Sequence, residues 1–277
     1  MVLNRGTRVG LLIGVSVAIS SALFFVPRIP LGADYHVFAD QRTFFGVANS
    51  LDVLSNTPFV LVGAWGLISL LRTSSRVSFV EDHERIPYLV FFAGVALTGI
   101  GSGWYHLLPG DSRLIWDLLP MTFSFTSLLS AVIMERIYLK AGIWLLLPLN
   151  VLGAASVLYL YLTLSEGRGD LRPYFFVQSF PAIAIAMMIA LFPPRYTRAA
   201  DFVVAFLLFV LAKCFEVLDK QIYSLDRIIS GHTLKHLTAA LACFWILRMI
   251  KLRHPSTHVR EGGTGRLKWP VPLAHAD

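Results

Sequence analysis

The sequence is poor in cysteine and in charged residues. Only two of its 277 residues are cysteines and 15% are charged, whereas about 25% of an average soluble domain is charged. Cys214 and Cys243 both lie in apolar runs, which excludes a disulfide framework and a cysteine-rich metal site. The scarcity of charge argues against a soluble enzyme and against a disordered chain.

The positive charge that is present does not indicate a nucleic-acid partner. The formal net charge is +7, but the basic residues lie between apolar runs and form neither a patch nor a stripe. Apolar residues are abundant, because 56% of the chain is hydrophobic. This is enough for about eight membrane spans of ~20 residues each. The sequence therefore predicts an all-α, polytopic helical membrane bundle.

Eight apolar runs, separated by charged or Pro- and Gly-containing breaks, are the expected spans. They cover residues 9–26, 45–71, 86–108, 114–138, 143–164, 174–192, 202–218 and 229–252. We expect residues 1–30 to hold an N-terminal tail and one extra span, 31–252 to form a seven-span core, and 253–277 to be a polar, mobile tail.

The first run has two interpretations. Arg5 and Arg8 followed by an apolar stretch are typical of a signal peptide, but the stretch is long and no clear small-residue cleavage site precedes Pro27. We therefore expect an uncleaved span. With eight spans, basic residues are more frequent on the side of the N-terminus, so both termini are expected in the cytoplasm.

Ionisable residues inside spans are costly in lipid and usually face the bundle interior, which makes them candidates for function. Ser102 and His106 lie four residues apart at the end of the third run and share one helix face. Asp117 lies near the start of the fourth run. Taken singly, His106 also fits an interfacial histidine and Asp117 a helix N-cap.

The strongest pattern is His232-Thr233-Leu234-Lys235-His236, which opens the last run. Two histidines at i and i+4 present both rings on one helix face and can chelate one divalent metal; two separate interfacial histidines are the alternative. The alternation of eight spans brings His106, Asp117 and this pair to one side of the membrane. Three histidines leave a fourth tetrahedral position for water, as in catalytic zinc sites.

Asn49, Asp52 and Asn56 are expected at the same membrane side, on one stripe of the second run. They either support the metal ligands through hydrogen bonds or join helices as polar contacts.

A second polar group lies near the end of the seventh run. Lys213 and Glu216 are spaced to pair within their own helix, and Asp219 follows. We favour a structural charge pair over a catalytic role, while Glu216 and Asp219 are also candidates to support the ligands.

The order of these motifs resembles the CREST superfamily of membrane hydrolases and, within it, the alkaline ceramidase family. The matching motifs are Ser102-x3-His106, Asp117 and His232-x3-His236. Ser55-Asn56, followed by Pro58-Phe59, resembles the first core span of that family. The resemblance covers about residues 34–252 and leaves the run 9–26 as an extra span.

This resemblance implies an intramembrane zinc held by His106, His232 and His236. It also implies that Ser102 stabilises the developing oxyanion and that Asp117 handles protons for the water that zinc activates. The substrate would be a membrane lipid amide of the ceramide type. Its hydrolysis would give a sphingoid-type free amine and a fatty acid near the non-cytoplasmic leaflet.

The sequence departs from the family in the residues that would bind calcium. Eukaryotic ceramidases carry a calcium-binding acidic cluster just before and at the start of the first core span. Residues 33–49 are poorer in carboxylates here, and Asn49 stands where a family Glu is expected. Because calcium takes about six to eight oxygen ligands, charged ones among them, zinc is the one cofactor to which the prediction commits.

Two other functions stay open on the sequence. CREST relatives include lipid-remodelling proteins of the phospholipase type. Hydrolysis of an ester lipid requires the same catalytic groups as hydrolysis of an amide. In a different class, the zinc is structural and couples the helices of a receptor or transport protein. The sequence predicts neither the acyl-chain length nor the oligomeric state.

Overall fold

Apolar runs and the breaks between them set the positions of the helices. The structure, a computed structural model, describes residues 3–72 and 79–256. The α-helices of these residues are α1 Arg5–Ala22, α2 Ser50–Leu54, α3 Thr57–Arg72, α4 Ile86–Leu107, α5 Asp111–Arg136, α6 Leu139–Ser165, α7 Arg172–Leu191, α8 Asp201–Val217, α9 Asp219–Asp226 and α10 Gly231–Leu252. A 3-10 turn, Asp82–Arg85, leads into α4.

Within the described part of the chain, six helical segments are long and apolar enough to cross a membrane. They are Ser50–Arg72, Asp82–Leu107, Asp111–Arg136, Leu139–Ser165, Arg172–Leu191 and Gly231–Leu252. The predicted all-α, polytopic membrane bundle is thereby confirmed. The two other predicted spans are helical as well, but α8 has 17 residues and the N-terminal part of α1 holds Arg5 and Arg8. That these two helices cross the membrane stays a prediction.

The second run is not one helix from residue 45. Positive φ angles at Phe45 (52°) and Asn49 (48°) are incompatible with a right-handed helix and delay its start to α2. A turn at Ser55 and Asn56 then separates α2 from α3. The predicted single stripe of Asn49, Asp52 and Asn56 on one helix is therefore wrong, because Asn49 precedes α2, Asp52 lies within it and Asn56 lies in the turn that follows it.

The start of the predicted tail belongs to the bundle. Arg253 is 1% exposed, and its guanidinium donates a hydrogen bond to Glu135 Oε1 at 2.5 Å. The ring of Tyr196 lies 4.1 Å from the same guanidinium. Because this ion pair and ring contact replace water around the charge, residues 253–256 are fixed to the bundle, contrary to the prediction. Residues 257–277 lie outside the described part.

The order of packing brings distant segments of the chain together. Helix α4 packs against α3 and α5, α5 against α6 and α7, and α10 against α8 and α3. Helix α1 has no buried residue and packs against α7. As a result, the C-terminal end of α4 lies beside the N-terminal ends of α5 and α10, where the candidate residues are found.

Candidate metal centre

Three histidines from two helices meet in the interior of the bundle. His106 comes from the last turn of α4, and His232 and His236 come from the first two turns of α10. The ring centroids are 4.8 Å apart for His106 and His232, 5.0 Å for His106 and His236, and 4.6 Å for His232 and His236. One ring nitrogen of each lies within 4.8 Å of the others, and all three side chains are buried. This group can hold a metal ion.

The start of α10 is fixed by a cap and by a glycine. Ser230 Oγ accepts a hydrogen bond from the Thr233 N–H at 3.0 Å, the usual role of an N-cap serine. A Cβ at Gly231 would lie 2.3 Å from the Phe215 carbonyl oxygen, so glycine is required for α10 to begin this close to α8. With the start fixed, the i,i+4 spacing turns both histidines of α10 to the same face.

Hydrogen bonds around His236 define which of its nitrogens is free. Ser55 Oγ donates to the Asp52 carbonyl at 3.0 Å and lies 2.8 Å from His236 Nδ1. Because the single hydroxyl proton is already used, Ser55 accepts from Nδ1–H, and Nε2 keeps its lone pair. Asn56 Nδ2, 3.4 Å from the same Nδ1, donates to the Asp52 carbonyl at 2.7 Å. The turn between α2 and α3 therefore orients the ring as a metal ligand requires.

The two other rings each carry a buried nitrogen that fits a metal. His106 Nδ1 and His232 Nε2 have no hydrogen-bond partner among the described residues. A buried polar atom without a partner costs free energy, which a bound cation would recover. The ring of Phe38 packs against both, with centroid distances of 4.5 Å and 4.6 Å. Three imidazoles in an apolar surrounding suit a divalent transition metal.

Ser102 and Asp117 lie together beside this group. Ser102 precedes His106 by one turn of α4, and its side chain interacts with the Asp117 side chain of α5; both residues are buried. A Cβ at Gly101 would lie 1.9 Å from the Trp116 carbonyl oxygen, so the contact between α4 and α5 depends on this glycine. The alternative that Asp117 caps a helix is wrong, because α5 begins at Asp111 and Asp117 lies in its second turn.

Three of the candidate supporting residues, Asp52, Asp219 and Asn49, bind backbone groups or a hydroxyl group and not the histidine rings. Asp52 is fully buried, and its Oδ1 accepts from Thr233 Oγ1 at 2.7 Å. Asp219 Oδ1 accepts from the His232 N–H at 2.7 Å. Asn49 Nδ2 donates to the His106 carbonyl at 2.9 Å. These side chains therefore fix the ends of α4 and α10 from which the histidines project.

The predicted pair of Lys213 and Glu216 is present within α8. Lys235 adds a second ammonium group, with its Nζ 2.7 Å from Glu216 Oε1 and its side chain 17% exposed. Glu216 thus binds two lysines, and its hydrogen bonds go to them rather than to a histidine ring. The sequence analysis missed Lys235, although an ionisable residue at the start of a span is the same signal that selected its neighbours.

The covering segment, residues 36–48, holds none of the predicted site residues but contacts the site through Phe38. Phe38, which packs on His106 and His232, belongs to the stretch between α1 and α2. His36 in the same stretch lies 2.8 Å from the Tyr105 hydroxyl through Nδ1 and 2.8 Å from Asp111 Oδ1 through Nε2. No local pattern in the sequence indicated these contacts, because they join residues about seventy positions apart.

An apolar cavity of about 160 Å³ lies near His236, although none of the three histidines lines it. Phe59, which lines it, has its ring 6.3 Å from that of His236. Thr98, another lining residue, lies one turn before Ser102 in α4. Among the described residues, the charged groups that line the cavity are Lys213 and Lys235. The cavity therefore combines an apolar interior with two cationic groups, and its lining residues Phe59 and Thr98 are neighbours of the site residues His236 and Ser102.

No protein-family profile and no curated protein sequence matches the chain. The fold and the site define it as a polytopic helical membrane protein with a buried three-histidine group that can hold a metal ion.

Proposed function

We propose that the protein is a zinc-dependent lipid amidohydrolase that resembles the alkaline ceramidases of the CREST superfamily. The observation that carries the proposal is the meeting of three buried histidines, a serine–aspartate pair and an apolar cavity inside one helical bundle. The motifs Ser102-x3-His106, Asp117 and His232-x3-His236, in their order along the chain, support it further. Three protein ligands with a fourth position left for water are typical of catalytic zinc.

A lipid substrate is proposed because of the cavity. Its lining is mostly aromatic and aliphatic, which suits an acyl chain. Two of its lining residues, Thr98 and Phe59, are neighbours of Ser102 and His236, which supports the proposal. An acyl chain in this cavity would bring its carbonyl group to the polar layer that holds the histidines.

Hydrolysis of an amide adds the oxygen of water to the acyl carbon, breaks the C–N bond and delivers a proton to the leaving nitrogen. His106, His232 and His236 would hold the zinc, which when bound lowers the pKa of water and polarises a carbonyl group. In this proposal Asp117 accepts a proton from the water and returns it to the nitrogen. Ser102 turns its hydroxyl from Asp117 to the acyl oxygen, where negative charge develops.

We propose the membrane topology on the same basis. If α1 and α8 both cross the bilayer, the chain has eight spans. The excess of basic residues on the N-terminal side then puts both termini in the cytoplasm. The histidines would face the non-cytoplasmic leaflet.

The proposal is tested with the purified full-length protein and matched N-acyl and O-acyl lipids of equal chain length. We expect release of fatty acid from the N-acyl lipid, its loss with a chelator and its recovery with added zinc. His232→Ala should be inactive, while His83→Ala, which changes a histidine paired with Glu81 at 3.4 Å, should be active.

Two outcomes would contradict the proposal. Release from O-acyl lipids alone would make the protein an esterase. Zinc at one ion per chain with no release from any lipid would favour a receptor or transport protein with a structural metal.

A further inference from the structure

We propose, on the basis of the proposed function, that the substrate carries a carboxylate close to the scissile amide, as an N-acyl amino acid does, and that Lys213 and Lys235 bind this carboxylate. Both lysines line the apolar cavity, and Lys235 directly precedes His236 in α10. They come from different helices, α8 and α10, and converge on Glu216. Their ammonium groups therefore lie close together at one side of the cavity.

The two lysines share one carboxylate. Lys235 Nζ is 2.7 Å from Glu216 Oε1, and Lys213 is paired with Glu216 Oε2. Lys213 Nζ also lies 3.4 Å from Gln178 Oε1. Each ammonium group has three N–H donors, so these contacts leave donors for a further acceptor. A carboxylate of a ligand is an anionic acceptor that a pair of ammonium groups binds through charge-assisted hydrogen bonds.

The other carboxylates nearby are engaged elsewhere. Asp117 interacts with Ser102, Asp52 accepts from Thr233, and Asp219 accepts from the His232 N–H. None of these hydrogen bonds reaches a lysine. Asp117 and Asp52 still interact electrostatically with Lys235. The charged groups that line the cavity itself, among the described residues, are the two lysines, so a ligand in the cavity meets cationic groups.

This arrangement discriminates between classes of acyl lipid. In a poorly hydrated interior, a charge interacts more strongly with a ligand than it does in water. An amine head group that becomes cationic would be repelled by the two ammonium groups, and a neutral alcohol would gain little. A carboxylate whose carbon is two bonds from the amide nitrogen, as in an N-acyl α-amino acid, would pair with them while the amide reaches the histidines.

The test compares N-oleoylglycine with N-oleoylethanolamine, which has the same chain and a neutral head group. We expect the wild-type kcat/KM to favour N-oleoylglycine by about tenfold or more, mainly through KM. Lys213→Met and Lys235→Met should each reduce this preference about tenfold, and each leaves Glu216 paired with the remaining lysine. The control is Lys220→Met, which changes an exposed lysine 3.6 Å from Asp34 and should keep the wild-type preference.

A binding measurement separates this proposal from the proposed function. In chelator-treated protein, N-oleoylglycine should bind about tenfold tighter than its methyl ester, and Lys213→Met should remove the difference. If this holds in a protein that hydrolyses no acyl lipid, the hydrolase proposal fails and the carboxylate site stands.

Equal hydrolysis of both amides with no effect of either variant would overturn the carboxylate site and leave the hydrolase. Oleate that binds as tightly as N-oleoylglycine, through the same lysines, would identify a site for the fatty-acid product and would also overturn the assigned substrate class.

Discussion

Replacement of Ser55 by alanine tests whether the turn between α2 and α3 orients a metal ligand. The substitution removes the hydroxyl that accepts from His236 Nδ1 at 2.8 Å. Partners that hold a metal-bound histidine are worth about 10- to 100-fold in metal affinity. The packing of the His236 ring near Phe59, with a centroid distance of 6.3 Å, is kept, so we expect the lower end of this range. The expected loss is about tenfold, or about 1.4 kcal/mol of binding free energy.

The assay is competition for zinc between the purified protein and a chromophoric chelator at fixed pH. The matched control is Ser165→Ala, since that exposed hydroxyl donates only to the Leu162 carbonyl, at 2.7 Å. A folded Ser55→Ala protein with wild-type zinc affinity would refute the reasoning, because the hydroxyl would then have no part in holding the ring. An equal loss in the control would show that the effect is not local.

Three further predictions address the helix contact, the proton-handling carboxylate and the covering segment. Gly101→Ala should lower the free energy of unfolding by about 1–3 kcal/mol or more. Gly103→Ala is the control, because its Cβ would meet no atom closer than 3.9 Å, and it should keep the wild-type stability. Equal thermal stabilities of the two variants would contradict this prediction. Asp117→Asn should keep its zinc by elemental analysis and lose most fatty-acid release, and full activity would remove Asp117 from the mechanism. Burial raises the pKa of the Asp40 carboxyl, but hydrogen bonds from Arg42 hold that pKa below its ordinary value. The contact therefore stabilises the covering segment above the ordinary pKa of about 3.9 and is lost as the pH falls through the lowered pKa. In the wild type, hydrogen exchange of residues 36–48 should become faster only below about pH 4. In Arg42→Gln the same increase should occur at higher pH, and identical pH profiles of exchange in the two proteins would contradict the role of Arg42.

The positions of most helices could be predicted because charged residues, prolines and glycines interrupt long apolar runs. The last run, predicted at 229–252, is α10, Gly231–Leu252. The interruption of the second run could not be predicted, because it depends on positive φ angles at Phe45 and Asn49, which no local composition requires. Arg253 was assigned to a tail because its partner, Glu135, lies 118 positions away.

The histidine group could be predicted because two simple rules act together. The i,i+4 spacing turns His232 and His236 to one face, and the alternation of spans returns His106 to the same end of the bundle. The packing of Phe38 on two of these rings could not be predicted, since an isolated phenylalanine in a loop carries no local signal. Lys235 could have been found, because a buried ammonium at a span end is costly and needs a partner.

Elemental analysis of the purified membrane protein is the most direct test of the metal centre. We expect about one zinc per chain in the wild type, a loss of that zinc in folded His232→Ala, and wild-type content in His83→Ala. A folded wild-type protein that takes up no divalent metal, even after zinc is added, would contradict the account. So would a His232→Ala variant that retains the full complement.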